Sequence, residues 1–167
     1  ASRCLLIEDG TRLILIDTGM GTKQSDRFFN YYFRWGTDSL DGALAQHGFC
    51  REDVTDVFLT HLHFDHCGGC VQWNSTKTGY EIAFKNATFW SNKDHWKWAT
   101  KPNKRERASF LTENIIPIET SGCLKHIPVP EGDILHNTNL GFDVFFANGH
   151  TDKQMIPMIS YKGKTIC

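Results

Sequence analysis

Long apolar runs are absent. The longest stretches, such as Leu13-Ile14-Leu15-Ile16, are far too short to span a bilayer. Charge of one sign is absent too. Eighteen Lys and Arg against nineteen Asp and Glu leave a net charge of −1, so no global field gathers nucleic acid or acidic membranes. Small neutral or weakly charged substrates fit such a chain best. The six cysteines (Cys4, Cys50, Cys67, Cys70, Cys123, Cys167) are scattered through apolar segments, which is no disulfide framework. Cys67 and Cys70 match C-x-x-C, but no second such pair accompanies them, and the spacing assigns them to close packing before redox or zinc-finger chemistry. No internal repeat, low-complexity tract, recognisable Ser or Cys nucleophile motif or signal peptide is visible, and cytoplasm is the default location.

What is present is ordinary for a globule: 167 residues, 40% hydrophobic and 13% aromatic, enough to build one domain over 1–167. One run is not ordinary. His61-Leu62-His63-Phe64-Asp65-His66 places four metal-capable side chains in six residues, directly after the apolar Val57-Phe58-Leu59. Packing gains nothing from such a cluster, because burying imidazoles costs free energy unless they are bonded. Alternation along an extended segment puts His61 and His63 on one side, within reach of one cation. Asp65 and His66 follow where Cys67-Gly68-Gly69 forces a turn, and can address a second. Nitrogen donors with a carboxylate suit zinc, or iron, manganese or cobalt.

Along the rest of the chain, Cys4–Ile7 and Leu13–Ile16 read as a hairpin about an Asp-Gly turn, with Asp17 closing the second strand. Residues 21–35 read as irregular and rich in aromatics. Ser39–His47 reads as a helix, Asp56–Thr60 as the strand delivering the histidines, and Gly68–Trp73 as the start of a short helix. Ala87–Trp90 reads as a strand. Asn92–Ala99 and Arg105–Ile115 read as helices, the second closed by Pro117. Cys123–Val129, Phe142–Ala147, Met155–Tyr161 and Lys164–Cys167 read as strands. Strands, helices and strands again predict an α/β arrangement of sheets with helices packed outside them.

Taken together, Ile16-Asp17-Thr18-Gly19, Thr60 through Gly69 and Gly149-His150-Thr151 resemble the metallo-β-lactamase superfamily of metal-dependent hydrolases, an αββα sandwich. The stretches 39–69 and 92–115 are most similar to its N-acyl homoserine lactonase-like branch. The resemblance implies a first metal on His61, His63 and His150, and a second on Asp65 and His66. Asp17 and Thr60 would steady the ligand loops, and Asp65 would double as the catalytic proton shuttle. His150 also fits without the family, since it follows a strand and the loop residues Asn148-Gly149. Two departures stand out. Members of this type carry a bridging Asp shortly after the strand matching Lys164–Cys167 and a final His later still, and both would fall past Cys167. The chain is therefore expected to lack a C-terminal part, and, opening on Ala1-Ser2-Arg3 without Met, some N-terminal residues. Where relatives often have Pro-Gly after the His150 motif, Asp152-Lys153 stands here.

The expected activity is hydrolysis of a small ester, lactone or lactam by metal-activated water. Phe28, Phe29, Tyr32 and Trp35 are the candidate substrate pocket; the same aromatics also suit anchoring to the core or to a second copy in a homodimer. Two rivals remain. One is a phosphodiesterase or nuclease, drawn from the basic segment Lys93–Arg107 with Trp96 and Trp98 interleaved, although a solvated helix face accounts for those charges better. The other is a metal-binding fragment without catalysis. His47, His95, His126 and His136 show no ligand spacing and read as ordinary packing or surface residues.

Overall fold

The Asp9-Gly10 turn closes the first hairpin as expected: Gly10 takes a positive φ, and Asp9 N–H donates to the Arg12 carbonyl. The computed structural model describes residues 3–167; Ala1 and Ser2, which carry part of the N-terminal reading, lie outside the described residues. Its strands are β1 (Leu5–Glu8), β2 (Leu13–Ile16), β3 (Asp56–Phe58), β4 (Val71–Trp73), β5 (Tyr80–Ile82), β6 (Thr88–Ser91), β7 (Leu124–His126), β8 (Ile134–Leu135), β9 (Asp143–Ala147), β10 (Gln154–Tyr161) and β11 (Lys164–Ile166). Its helices are α1 (Asp26–Asn30), α2 (Leu40–Gln46), α3 (Phe64–Cys67), α4 (Lys93–Thr100) and α5 (Thr112–Thr120).

The first sheet has the order β1-β2-β3-β6-β7. It is parallel from β2 through β7, with β1 antiparallel at the edge. The second, β11-β10-β9-β8, is antiparallel. The inner strands β2 and β3 of the first sheet are buried on both faces because both are covered. Leu13, Leu15, Val57, Leu59 and Phe89 pack against Leu44 of α2, Trp96 and Ala99 of α4, and Ile115 and Ile118 of α5. The alternate residues Ile14, Ile16 and Phe58 pack against Val144, Phe146 and Met155 of the second sheet. Helices, sheet and sheet are thus stacked, three layers of the expected αββα sandwich. Among the described residues, helical side chains enter only the first of these two clusters.

Several local expectations are corrected. The helix read over Arg105–Ile115 lies instead over Thr112–Thr120, with Pro117 inside it. Residues 104–109 are held in turns because Asn103 Oδ1 accepts the Glu106 N–H (3.0 Å) and the Glu106 side chain is drawn inward. Gly68–Trp73 is not the start of a helix: α3 begins earlier, at Phe64, and after one 3-10 turn the chain runs into β4, which pairs with β5. Within the irregular 21–35 segment, Ser25 caps the short α1 by accepting the Phe28 N–H (3.2 Å). The strands β5 and β8 were not foreseen. No helix among the described residues is long and apolar enough to cross a membrane.

Candidate metal centre

The parallel strands deliver the chemistry at their C-terminal ends. After β2, Asp17 sits in the left-handed region at φ 57°, a costly conformation for a residue with a Cβ and one that concentrates at functional sites. After β3 the chain leaves the sheet through Thr60 to His63, the last with extended dihedrals (φ −65°, ψ 149°), and then turns into α3, so His61 and His63 come from the loop while Asp65 and His66 ride the first helical turn. The loops after β2 and β3 touch backbone to backbone: Thr18 N–H donates to the His66 carbonyl (2.7 Å), and Gly69 N–H to that of Gly19 (3.0 Å). This approach requires glycine. A Cβ on Gly68 would run into the Met20 carbonyl, and one on Gly69 into that of Thr18. Cys67 and Cys70 are buried, and burial pushes the Cys70 thiol up to about 12, as close packing predicts.

His150 arrives from the loop after β9. Its ligand nitrogen and those of His61 and His63 all lie within 4.8 Å of one another. The Nε2 atoms of His61 and His150 are 3.2 Å apart, against about 3.3 Å for two nitrogens in a tetrahedral zinc site. His63 Nε2 is buried and has no hydrogen-bond partner. A buried, unpaired imidazole nitrogen facing two others is what a divalent ion would satisfy, and the residues present fit one.

A chain of hydrogen bonds aims the lone pairs. Asp17 accepts from Thr60 N–H (2.9 Å), from the Thr60 hydroxyl (2.8 Å) and from His66 Nδ1 (2.6 Å). Having spent its proton on Asp17, the Thr60 hydroxyl can only accept from His61 Nδ1–H (3.0 Å). His61 therefore keeps an unprotonated Nε2, and His66 does so whenever it is neutral. Burial, and next the neighbouring His66, His63 and His150, hold His61 far below the ordinary histidine range. Burial likewise lowers His63, with His150 adding to it, against the opposing pull of Asp65 and Glu106. Burial would lower His66 as well, but the hydrogen bond and charge of Asp17, with Asp65 beyond, leave it raised.

Asp65 lies beside His66 (Oδ2 to Nε2, 3.6 Å) with its side chain 43% exposed, at the open mouth of the cluster. Phe64, between His63 and Asp65, packs against Phe28 (5.2 Å between centroids) and Tyr32 (4.9 Å). Those two pocket candidates are brought to the site. Phe29 instead faces Phe28 and lies under the Arg34 guanidinium (4.2 Å). Trp35 is 89% exposed and is not brought in. In the basic segment Trp96 is buried, so it offers no face for stacking bases, and the half-buried Trp98 is tied through its indole N–H to Glu106 (3.0 Å).

Two groups without any local signal belong to this neighbourhood. Glu106 is buried and accepts from Trp98 and the Thr151 hydroxyl (2.8 Å), with Oε2 3.7 Å from His63 Nε2. Those hydrogen bonds outweigh burial and keep its carboxyl below the usual range. His95, read as ordinary, is buried and bonded at both ring nitrogens.

Comparison with known proteins bears on the family and the fold. The N-acyl homoserine lactonase AiiA of Bacillus thuringiensis subsp. kurstaki is 32% identical over a segment covering 48% of this chain and 38% of that enzyme. A probable metal-dependent hydrolase from Staphylococcus aureus superposes with a TM-score of 0.81 at 22% identity, over 98% of this chain and 55% of that one. AidC, a dizinc quorum-quenching lactonase, superposes with a TM-score of 0.69 at 24% identity, over 97% of this chain and 53% of its own. The chain thus spans about half the length of the structures it resembles, and less of the curated lactonase it matches. The sequence profile of the metallo-beta-lactamase superfamily matches residues 1–154, and the chain belongs to that superfamily.

Proposed function

We propose that the protein is a metal-dependent hydrolase that opens a lactone or closely related cyclic ester, with zinc as its ion. The observation that carries this reading is the convergence of His61, His63 and His150, with the buried Nε2 of His63 left unpaired. His61, His63 and His150 would hold a first ion, and Asp65 and His66 would contribute to a second. A bound ion of this kind supplies a polarised carbonyl and water acidified to a pKa of about 7.

The chain's own groups account for the rest. Asp17 and Thr60 fix the tautomers of His66 and His61, so that Nε2 points into the cluster in both. Asp65, partly exposed beside His66, would carry a proton to the leaving oxygen. Phe28 and Tyr32 pack on Phe64, the residue before Asp65, and would form an apolar lip suited to an acyl chain or ring carried by the substrate. The lactonase names among the relatives favour a lactone over a lactam or phosphoester.

The test is a panel of lactones, β-lactams, thioesters and phosphodiesters assayed with zinc and with chelator. Chelator-sensitive turnover confined to lactones and simple esters supports the reading. Turnover of phosphodiesters alone transfers the assignment to the nuclease class, and zinc binding without turnover of any class leaves a metal-binding domain.

A further inference from the structure

We propose that His95 is a positioning residue that clips together the two loops bearing the metal ligands, and so sets the spacing of the cradle. The proposal rests on the metal-centre reading above and adds a component that no motif marks. His95 Nε2 accepts the Leu62 N–H (2.9 Å), and Leu62 lies between His61 and His63. Its other nitrogen, Nδ1, is 2.6 Å from the carbonyl oxygen of Asp152, two residues past His150. One imidazole thus bridges the backbones of both ligand loops, which are some ninety residues apart in sequence.

The chemistry admits a single protonation state. A carbonyl oxygen only accepts, so Nδ1 must carry the proton; an amide N–H only donates, so Nε2 must not. No other common side chain offers a donor and an acceptor on one rigid ring. Burial, which outweighs the Asp152 carbonyl and holds His95 down at about 4, keeps it in that neutral form.

The clip is itself anchored. Asn92 caps α4 by accepting the His95 N–H (2.8 Å), and its amide donates to the Lys153 carbonyl (2.8 Å). Lys153 takes a positive φ of 52°, and its N–H donates to Asn148 Oδ1 (3.0 Å). The Asp152-Lys153 pair, where relatives often have Pro-Gly, is therefore the point at which α4 grips the His150 loop. A further bond joins the same two stretches, Met155 N–H to the Thr60 carbonyl (2.8 Å), but it lies before His61, outside the His61–His63 span.

The experiment measures zinc affinity by competition with a chromophoric chelator, and thermal stability of the metal-free protein. The variants are His95→Phe, which keeps the ring and loses both bonds, His95→Gln, whose carbonyl can replace Nε2, and His95→Asn, whose amide can replace Nδ1. Groups that orient metal ligands typically contribute 10–100-fold in affinity. His95→Phe is expected to weaken zinc by about that factor, with Gln and Asn falling between it and the parent. Ile118→Ala, on α5 in the helical core cluster, removes buried packing and neither hydrogen bond of the clip, and serves as a variant destabilised through packing alone.

The clip is overturned if His95→Phe binds zinc within threefold of the parent, or if Ile118→Ala weakens zinc as much at equal loss of stability. Should the Phe variant not fold, the Gln and Asn pair decides: both within threefold of the parent overturns the clip, and both weaker supports it. A parent that binds no zinc removes the metal-centre reading and the clip with it, whereas a parent and Phe variant that bind equally remove the clip alone.

Discussion

Replacing Asp17 with Asn changes one oxygen to an amide, yet it should disturb the centre on two sides. The carboxylate is buried and accepts three hydrogen bonds, two from Thr60 and one from His66. An asparagine presents one acceptor end, so one donor faces an NH2 group if its oxygen takes the place of Oδ2, and two do if it takes the place of Oδ1. Hydrogen bonds to a charged group are worth roughly 1.5–3 kcal/mol each. The metal-free protein should therefore lose about 3 kcal/mol. The larger effect passes through Thr60. Freed from Asp17, its hydroxyl can donate to His61 Nδ1, which moves the His61 proton onto Nε2 and covers the lone pair aimed at His150. Zinc affinity should fall about 10–100-fold. Urea denaturation without metal reads the first number and chelator competition the second. An Asp17→Asn variant within about 0.5 kcal/mol and twofold of the parent would refute the hydrogen-bond chain as the device that orients the ligands.

Other perturbations follow from the same contacts. Gly69→Ala places a methyl against the Thr18 carbonyl and should cost about 3 kcal/mol, the upper end for overpacking, read by urea denaturation; a loss below 1 kcal/mol would mean the loops part without strain. His95 is neutral when folded, with its value held down at about 4 against an ordinary 6.5, so the unfolded chain takes up the extra proton first. Its contribution is intact above pH 6.5 and is lost as pH falls toward 4, by on the order of 3 kcal/mol. Urea curves at pH 7 and 5 should show a steeper loss in the parent than in His95→Gln, and equal slopes would contradict it. Replacing Phe28 and Tyr32 together with Ala should raise KM with zinc content unchanged, and unchanged kinetics would remove this lip from the site.

Much of the candidate centre was legible because most of its residues are contiguous. His61, His63, Asp65 and His66 stand together after a recognisable strand, and the Gly68-Gly69 pair marks the turn that must follow. His150 needed only a strand and a loop to reach them. Glu106 and His95 were not legible. Their partners lie 45 and 33 residues away, at Thr151 and Leu62, and nothing in the local spacing announces such bonds. The misplaced helix over 105–115 has the same origin: its apolar period was real, but the inward pull on Glu106 holds that segment in turns and moves the helix to Thr112. The first sheet was easier, since Leu13–Ile16 and Val57-Phe58-Leu59 are apolar on both faces, as a covered parallel sheet requires.

Zinc stoichiometry by equilibrium dialysis, on the parent and on a His61→Ala, His150→Ala double variant, tests the central claim most directly. The parent should retain at least about one ion per chain at micromolar free zinc, and the double variant should retain none in that range. A parent that stays empty, or a double variant that binds as the parent does, would contradict the account.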